Sequence, residues 1–191
     1  MRVLKSISLV FFLCFAVSFS VSCQERRPES PSDSCRKFVG KFYSWYLAAD
    51  SKGDQGPAGS VALKYRPYLF SRAIVEAVRG DYEAQEKAGS DLVSLDGDPW
   101  VGADGLSEKY IVEKVTATNG RCLAEVHAVW EGKEDEAPDI IPELSISNGR
   151  WRFVNFYFPS PSNPRGWDLL SALKALRKEG KRSPLDKNKK P

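Results

Sequence analysis

The sequence predicts an α+β domain: two N-terminal helices, a four-stranded antiparallel meander and a C-terminal amphipathic helix. Three observations carry this. Apolar residues recur at helical spacing as far as Val78. From Tyr110 the apolar period becomes two. Asn119-Gly120 and Asn148-Gly149 then sit between alternating runs as two-residue hairpin turns. The helices must cover one face of the sheet, because each element hides an apolar side only against another.

The chain opens with a basic front, Arg2 and Lys5, an apolar run from Ile7 to Val21, and small residues ahead of Cys23. That order reads as an export signal over residues 1–22. The run is shorter than the 20 or so apolar residues a membrane span needs. Residues 23–34, with prolines, serines and charges, read as a tether. A helix is expected from about Cys35 to Ala49, capped by Asp33 or Ser34. Phe38, Phe42, Trp45 and Tyr46 form its aromatic face. Residues 51–60 hold three glycines and a proline and read as a loop. A second helix is expected from near Pro67 to Val78, with a polar continuation through Lys87. A long loop follows, over residues 89–107.

Four strands are expected next. Residues 110–118 and 121–130 form a hairpin. Cys122, Ala124, Val126, Ala128 and Trp130 share one face of its second arm, and Glu125 and His127 share the other. After a charged connection, Ile140, Leu144 and Ile146 alternate. Residues 151–158 are apolar or aromatic on both faces, as in a doubly covered strand. Asn163-Pro164 reads as a helix cap with proline in the first turn. Trp167, Leu170, Leu173 and Leu176 then mark a helix stopped by Gly180. Residues 35–180 therefore form one domain, and residues 181–191 a basic, frayed tail.

The charge is unevenly spread. The chain carries +3 overall, yet residues 174–191 hold eight basic and two acidic residues. Removing that surplus and the two basic residues of the leader leaves −5 on the rest. With no basic face interleaved with aromatics, nucleic-acid binding has no support.

Cysteine parity bears on the N-terminus. Cys14 departs with the leader, leaving Cys23, Cys35 and Cys122. An odd count is awkward in an exported chain. Lipidation of Cys23 would leave Cys35 and Cys122 as a pair, read as a staple between the first helix and the second strand. Ordinary secretion remains open, since Ser20 and Ser22 also suit simple cleavage.

Residues able to do chemistry are few. His127 is the single histidine. It reads as a solvated strand residue, and no Gly-x-Ser-x-Gly elbow accompanies it, so a hydrolase triad is unsupported. Asp91, Asp96, Asp98 and Asp104 crowd the long loop around Pro99-Trp100. Their spacing misses the EF-hand pattern, so they read as turn caps rather than a calcium site. No cofactor or metal is expected. Trp45, Trp100, Trp130, Trp151 and Tyr157 could line a cavity between helices and sheet, and Asn155 is a polar residue inside an apolar strand.

Phe42-Tyr43-Ser44-Trp45-Tyr46-Leu47 resembles the F-Y-x-W-Y-L signature of a family of exported bacterial domains, catalogued as domain of unknown function 3828. Asp96-Gly97-Asp98-Pro99-Trp100, with Asp104 following, resembles its second signature, though Ala103 stands where that signature has glutamine. Gly149-Arg150-Trp151-Arg152-Phe153 resembles its closing tryptophan strand. The resemblance covers residues 37–158 and implies a periplasmic or lipoprotein location. It implies no activity. Its layout is similar to the nuclear transport factor 2-like cone. The expectation is a non-enzymatic envelope lipoprotein, favouring the outer membrane. It would bind a protein, in the manner of an inhibitor or immunity module, through Asp96, Asp98, Trp100, Asp104 and Asn155. A small apolar ligand or lipid in an aromatic pocket is the alternative.

Overall fold

The computed structural model describes residues 29–51, 56–88, 95, 97–102, 106–134, 136–160 and 163–180. The expected signal, Cys23, Asp91, Asp96, Asp104 and the basic tail lie outside them. Helix α1 spans Pro31–Asp50, four residues ahead of the expected start. Ser30 is its cap: the Ser30 hydroxyl accepts from the Asp33 amide at 3.1 Å, and Pro31 takes the first helical turn, where its missing N–H costs nothing. Residues 31–34, expected in the tether, are thus helix.

The second helical region differs from expectation. A short helix, α2 (Ser60–Tyr65), and a single 3-10 turn at Pro67–Leu69 precede α3 (Arg72–Ala88). The break falls at Phe70, whose extended backbone pairs with Phe153 in an isolated parallel bridge. The Ser71 amide donates to the Phe153 carbonyl at 2.8 Å, and its hydroxyl accepts from the Ile74 amide at 3.3 Å to begin α3. A contact with a strand more than eighty positions away ends one turn and starts the next helix. Local periodicity could not show it.

The sheet is antiparallel along the order β1-β2-β4-β5-β6, with the two-residue β3 (Lys133–Glu134) pairing on β2. Its strands are β1 (Lys109–Thr118), β2 (Arg121–Trp130), β4 (Ile141–Ser147), β5 (Arg150–Ser160) and β6 (Asn163–Asp168). Both Asn-Gly turns join strands as expected, with all four residues at positive φ. The expected count of four strands is therefore exceeded. Residues 163–168, expected as the start of the last helix, form an edge strand. Trp167 stacks on Phe158 at 4.2 Å, and Gly166, at φ 70°, sits so close to the Phe158 backbone that no side chain fits. Helix α4 begins at Leu169.

The helices cover one face of the sheet. Cys122, Ala124, Val126, Leu144, Phe153 and Phe156 point into that layer and are buried there with Phe42, Tyr43, Phe70, Trp100 and Leu173. Phe153 and Phe156 both face inward because β5 carries one extra residue: Leu144 pairs with Phe153, but Glu143 pairs with Asn155. Such a bulge reverses the inside–outside phase of the strand. Cys35 and Cys122 form a disulfide, with Cα atoms 6.6 Å apart across a sequence separation of 87, tying α1 to β2. Two inward expectations fail at strand ends. Trp130 and Ile146 are each nearly half exposed, past the helical layer. Among the described residues, no helix is long and apolar enough to cross a membrane.

Candidate functional site

The segment Gly97–Gly102 is held inside the helical layer by Asp98 and Trp100. Trp100 is fully buried, and its ring lies 4.4 Å from Phe70 and 5.4 Å from Phe156. Its indole N–H donates to the Gly59 carbonyl at 2.7 Å, and its own carbonyl accepts from the Tyr43 hydroxyl at 3.0 Å. Asp98 is 6 % exposed. One carboxylate oxygen accepts from the Trp100 amide at 2.8 Å, and the other accepts from the Tyr46 hydroxyl. Tyr43 and Tyr46, three positions apart on α1, thus grip the same segment at two points.

The electrostatics match this enclosure. Burial pushes the Asp98 carboxyl up to about 6, although the Tyr46 hydroxyl and the Trp100 amide pull the other way. No basic side chain among the described residues stabilises it, and Asp50 adds a like charge. Burial, and then the Asp98 charge, hold the Tyr46 and Tyr82 hydroxyls far above the ordinary phenol range. Gly59 completes the packing at φ 78°. A Cβ there would stand 2.7 Å from Pro99 Cδ, 2.8 Å from Trp100 Nε1 and 3.0 Å from Asp98 Oδ1. The carboxylate of Asp98 and the indole N–H of Trp100 are engaged within the chain, so neither side chain presents a free polar group to a partner. Among the described residues, no three His, Cys, Asp or Glu side chains converge as a metal site.

Asn155 does not join this segment. Its amide donates to Asp168 at 2.9 Å, and its oxygen accepts from the Phe156 amide at 3.0 Å and the Leu170 amide at 3.3 Å. Asp168 in turn accepts from the Ser171 amide at 3.0 Å, so the two side chains together cap α4. Partial burial pushes the Asp168 carboxyl up, but the bonds from Asn155, Ser171 and Leu170 outweigh it and hold the group below its ordinary value. The other aromatics do not share a cavity either. Trp151 donates to the Ser34 hydroxyl at 3.1 Å, Trp45 stacks under Arg66 at 4.1 Å, and Trp130 lies near the end of the sheet. His127, expected in solvent, is buried, with Glu113 of the adjacent strand 3.6 Å away.

Two open features lie on the other side of the sheet. Alternation turns Leu123, Glu143 and Tyr157 away from the helices. They line a cavity of about 330 Å³ together with Ile141. A second cavity of about 360 Å³, bordered by Thr116, Thr118 and Arg121, shares Leu123 and Glu143 with the first. The two form one trough across β1, β2, β4 and β5. Leu123 is 44 % exposed in its wall. At the shared point, one oxygen of Glu143 accepts from the Tyr157 hydroxyl at 2.9 Å, and the other lies 3.4 Å from the exposed Arg121 guanidinium. Sequence reading missed this trough. Its signal was there: Leu123 and Ile141 occupy the outward phase of their strands, where polar residues are the rule.

Compared with protein-family models, with curated proteins and with solved structures, the chain gives no match.

Proposed function

We propose that this chain is a non-enzymatic cell-envelope module of the exported bacterial family that its Phe42–Leu47 segment resembles. On this reading it is anchored by lipid on Cys23, in the outer membrane, and works by binding another protein, as an inhibitor or immunity module would. The trough supports this reading. It is a concave, partly apolar surface with Leu123 exposed and one carboxylate at its centre, on the face that the helices leave uncovered. Exposed apolar side chains gathered in a concavity mark interaction surfaces more often than isolated ones do. The Asp98–Trp100 segment supports a partner less well, because its groups are used internally.

A photo-crosslinking residue placed at Tyr157, in the wall of the trough, should capture one envelope protein. The same residue at Arg72, exposed on α3, should not. Leu123→Arg in the same preparation should abolish the capture. Equal labelling from both positions would reject the trough as the contact surface. Intact mass of membrane-extracted chain should exceed the peptide mass from Cys23 onward by a lipid adduct.

A second reading rests on the size of the trough. Small-ligand pockets start at roughly 300 Å³, so a small apolar ligand or lipid between Leu123, Ile141 and Tyr157 is the alternative. Native mass spectrometry showing a retained ligand, lost in Ile141→Arg, would favour it over the protein partner.

A further inference from the structure

The open face of the sheet carries basic charge that the fold leaves unpaired. In register, Thr118 lies beside Arg121, Arg121 beside Ser145, and Ser145 beside Arg152, so one row crosses β1, β2, β4 and β5. Trp151 and Phe153 are buried on the helical side. Arg152 between them therefore projects from the open face, and Arg150, in the same phase of β5, does too. Against these three guanidinium groups stands one carboxylate, Glu143, already engaged by Tyr157 and Arg121. Among the described residues no acidic side chain pairs with Arg150 or Arg152. On the neighbouring stretch the fold does pair its charges, with Lys114 3.0 Å from Glu125. Residues 23–173 carry −5 in all, so a local positive surplus is the exception in this part of the chain.

The surplus adjoins the trough. Neighbouring strands lie about 4.8 Å apart, which puts the Cα atoms of Arg121 and Arg152 roughly 10 Å apart with Ser145 between them. Arginine side chains span that gap, and a guanidinium binds a carboxylate through two parallel N–H groups. Leu123 lies opposite Glu143, two residues along β4 from Ser145, and Ile141 is two further on, opposite Tyr157. The apolar wall thus begins about 7 Å from the basic row and continues to about 13 Å. Thr116, Thr118 and Asn119 line the second cavity beside Arg121. Hydroxyl and amide groups of that kind suit the backbone of a peptide, and an acyl chain gains nothing from them.

We propose that the trough takes an extended segment of a partner protein in which a carboxylate stands two or four residues from an apolar side chain. The carboxylate sits over Ser145, between Arg121 and Arg152. The apolar side chain lies against Leu123 or, at the longer spacing, against Ile141 and Tyr157. This occupant presupposes the protein-binding reading of the trough and specifies the chemistry that reading leaves open. The basic row also steers an acidic segment toward this face, an attraction that salt screens.

The test selects random dodecapeptides on the full chain. Selected peptides should carry Asp or Glu two or four positions from Leu, Ile, Val or Phe. They should crosslink to a photo-reactive residue at Tyr157 and not to one at Arg72, and their binding should weaken as salt is raised. Arg152→Glu should weaken them at least about tenfold with an unchanged melting temperature. Arg152→Gln, which removes the charge without reversing it, should weaken them less. Selected peptides that crosslink at Tyr157 but carry no acidic residue, and bind Arg152→Glu equally well, would overturn this inference and leave the trough as a protein-binding surface. Polyglutamate that binds as tightly as the selected peptides would overturn it too, because no apolar contact would then be needed. Selection no better on the full chain than on Leu123→Arg would overturn both the inference and the protein-binding reading; dodecanoate retained in native mass spectrometry would then assign the trough to a small amphiphile.

Discussion

Asp98 and Glu143 are both carboxylates that accept a hydrogen bond from a tyrosine hydroxyl, Tyr46 for one and Tyr157 for the other. Their surroundings set them apart. Asp98 is sealed among aromatic rings with no basic partner among the described residues, and burial raises it to about 6. Glu143 is 15 % exposed at its side chain and faces the 73 %-exposed Arg121. An ion pair with one partner so open to solvent contributes about 1 kcal/mol or less. The first carboxylate is spent on holding a loop against two helices, while the second lies in the wall of an open trough. Chemical likeness between two sites therefore says little about role; enclosure decides it.

The sharpest way to break this contrast is to truncate the buried side. Trp100→Ala should cost roughly 3–5 kcal/mol of folding stability in a denaturant titration, since it empties a core site and orphans the Gly59 carbonyl. A cost below about 1 kcal/mol would mean that the Gly97–Gly102 segment is not part of the core.

The next test is the pH dependence. Asp98 ionises near 3.8 when unfolded and at about 6 when folded. The folded chain therefore holds this proton more tightly. The stability that the neutral carboxyl contributes is complete below 3.8 and is lost as pH rises through about 6. The loss is on the order of 3 kcal/mol across that window. Asp98→Asn should flatten the profile there. If wild type and variant keep parallel profiles, Asp98 is not the buried, raised group described here.

Gly59→Ala probes the same enclosure from its far side. It forces a positive φ on alanine and a contact with Pro99 and Trp100, for a loss of roughly 2 kcal/mol. On the open side, Leu123→Arg should change stability by no more than about 0.5 kcal/mol yet abolish crosslinking from the trough. A large loss of stability there would remove the distinction between the two regions.

The pattern of residues alone determined the α+β class, the two Asn-Gly hairpins, the core side of β2 from Cys122 to Ala128, and the pairing of Cys35 with Cys122. These depend on period and turn chemistry, which act over a few residues, or on parity. The tertiary structure decided the rest. Phe70 breaks a helical run because Phe153 pairs with it. The extra residue in β5 turns Phe156 inward and Asn155 outward. Trp167 lies on an edge strand because its ring stacks on Phe158. Aspartates that read as a possible binding loop include one, Asp98, that is held inward by Tyr46, 52 positions earlier. Each of these outcomes depends on a contact between distant segments, whose energy is absent until the chain is closed. No local window of sequence contains it.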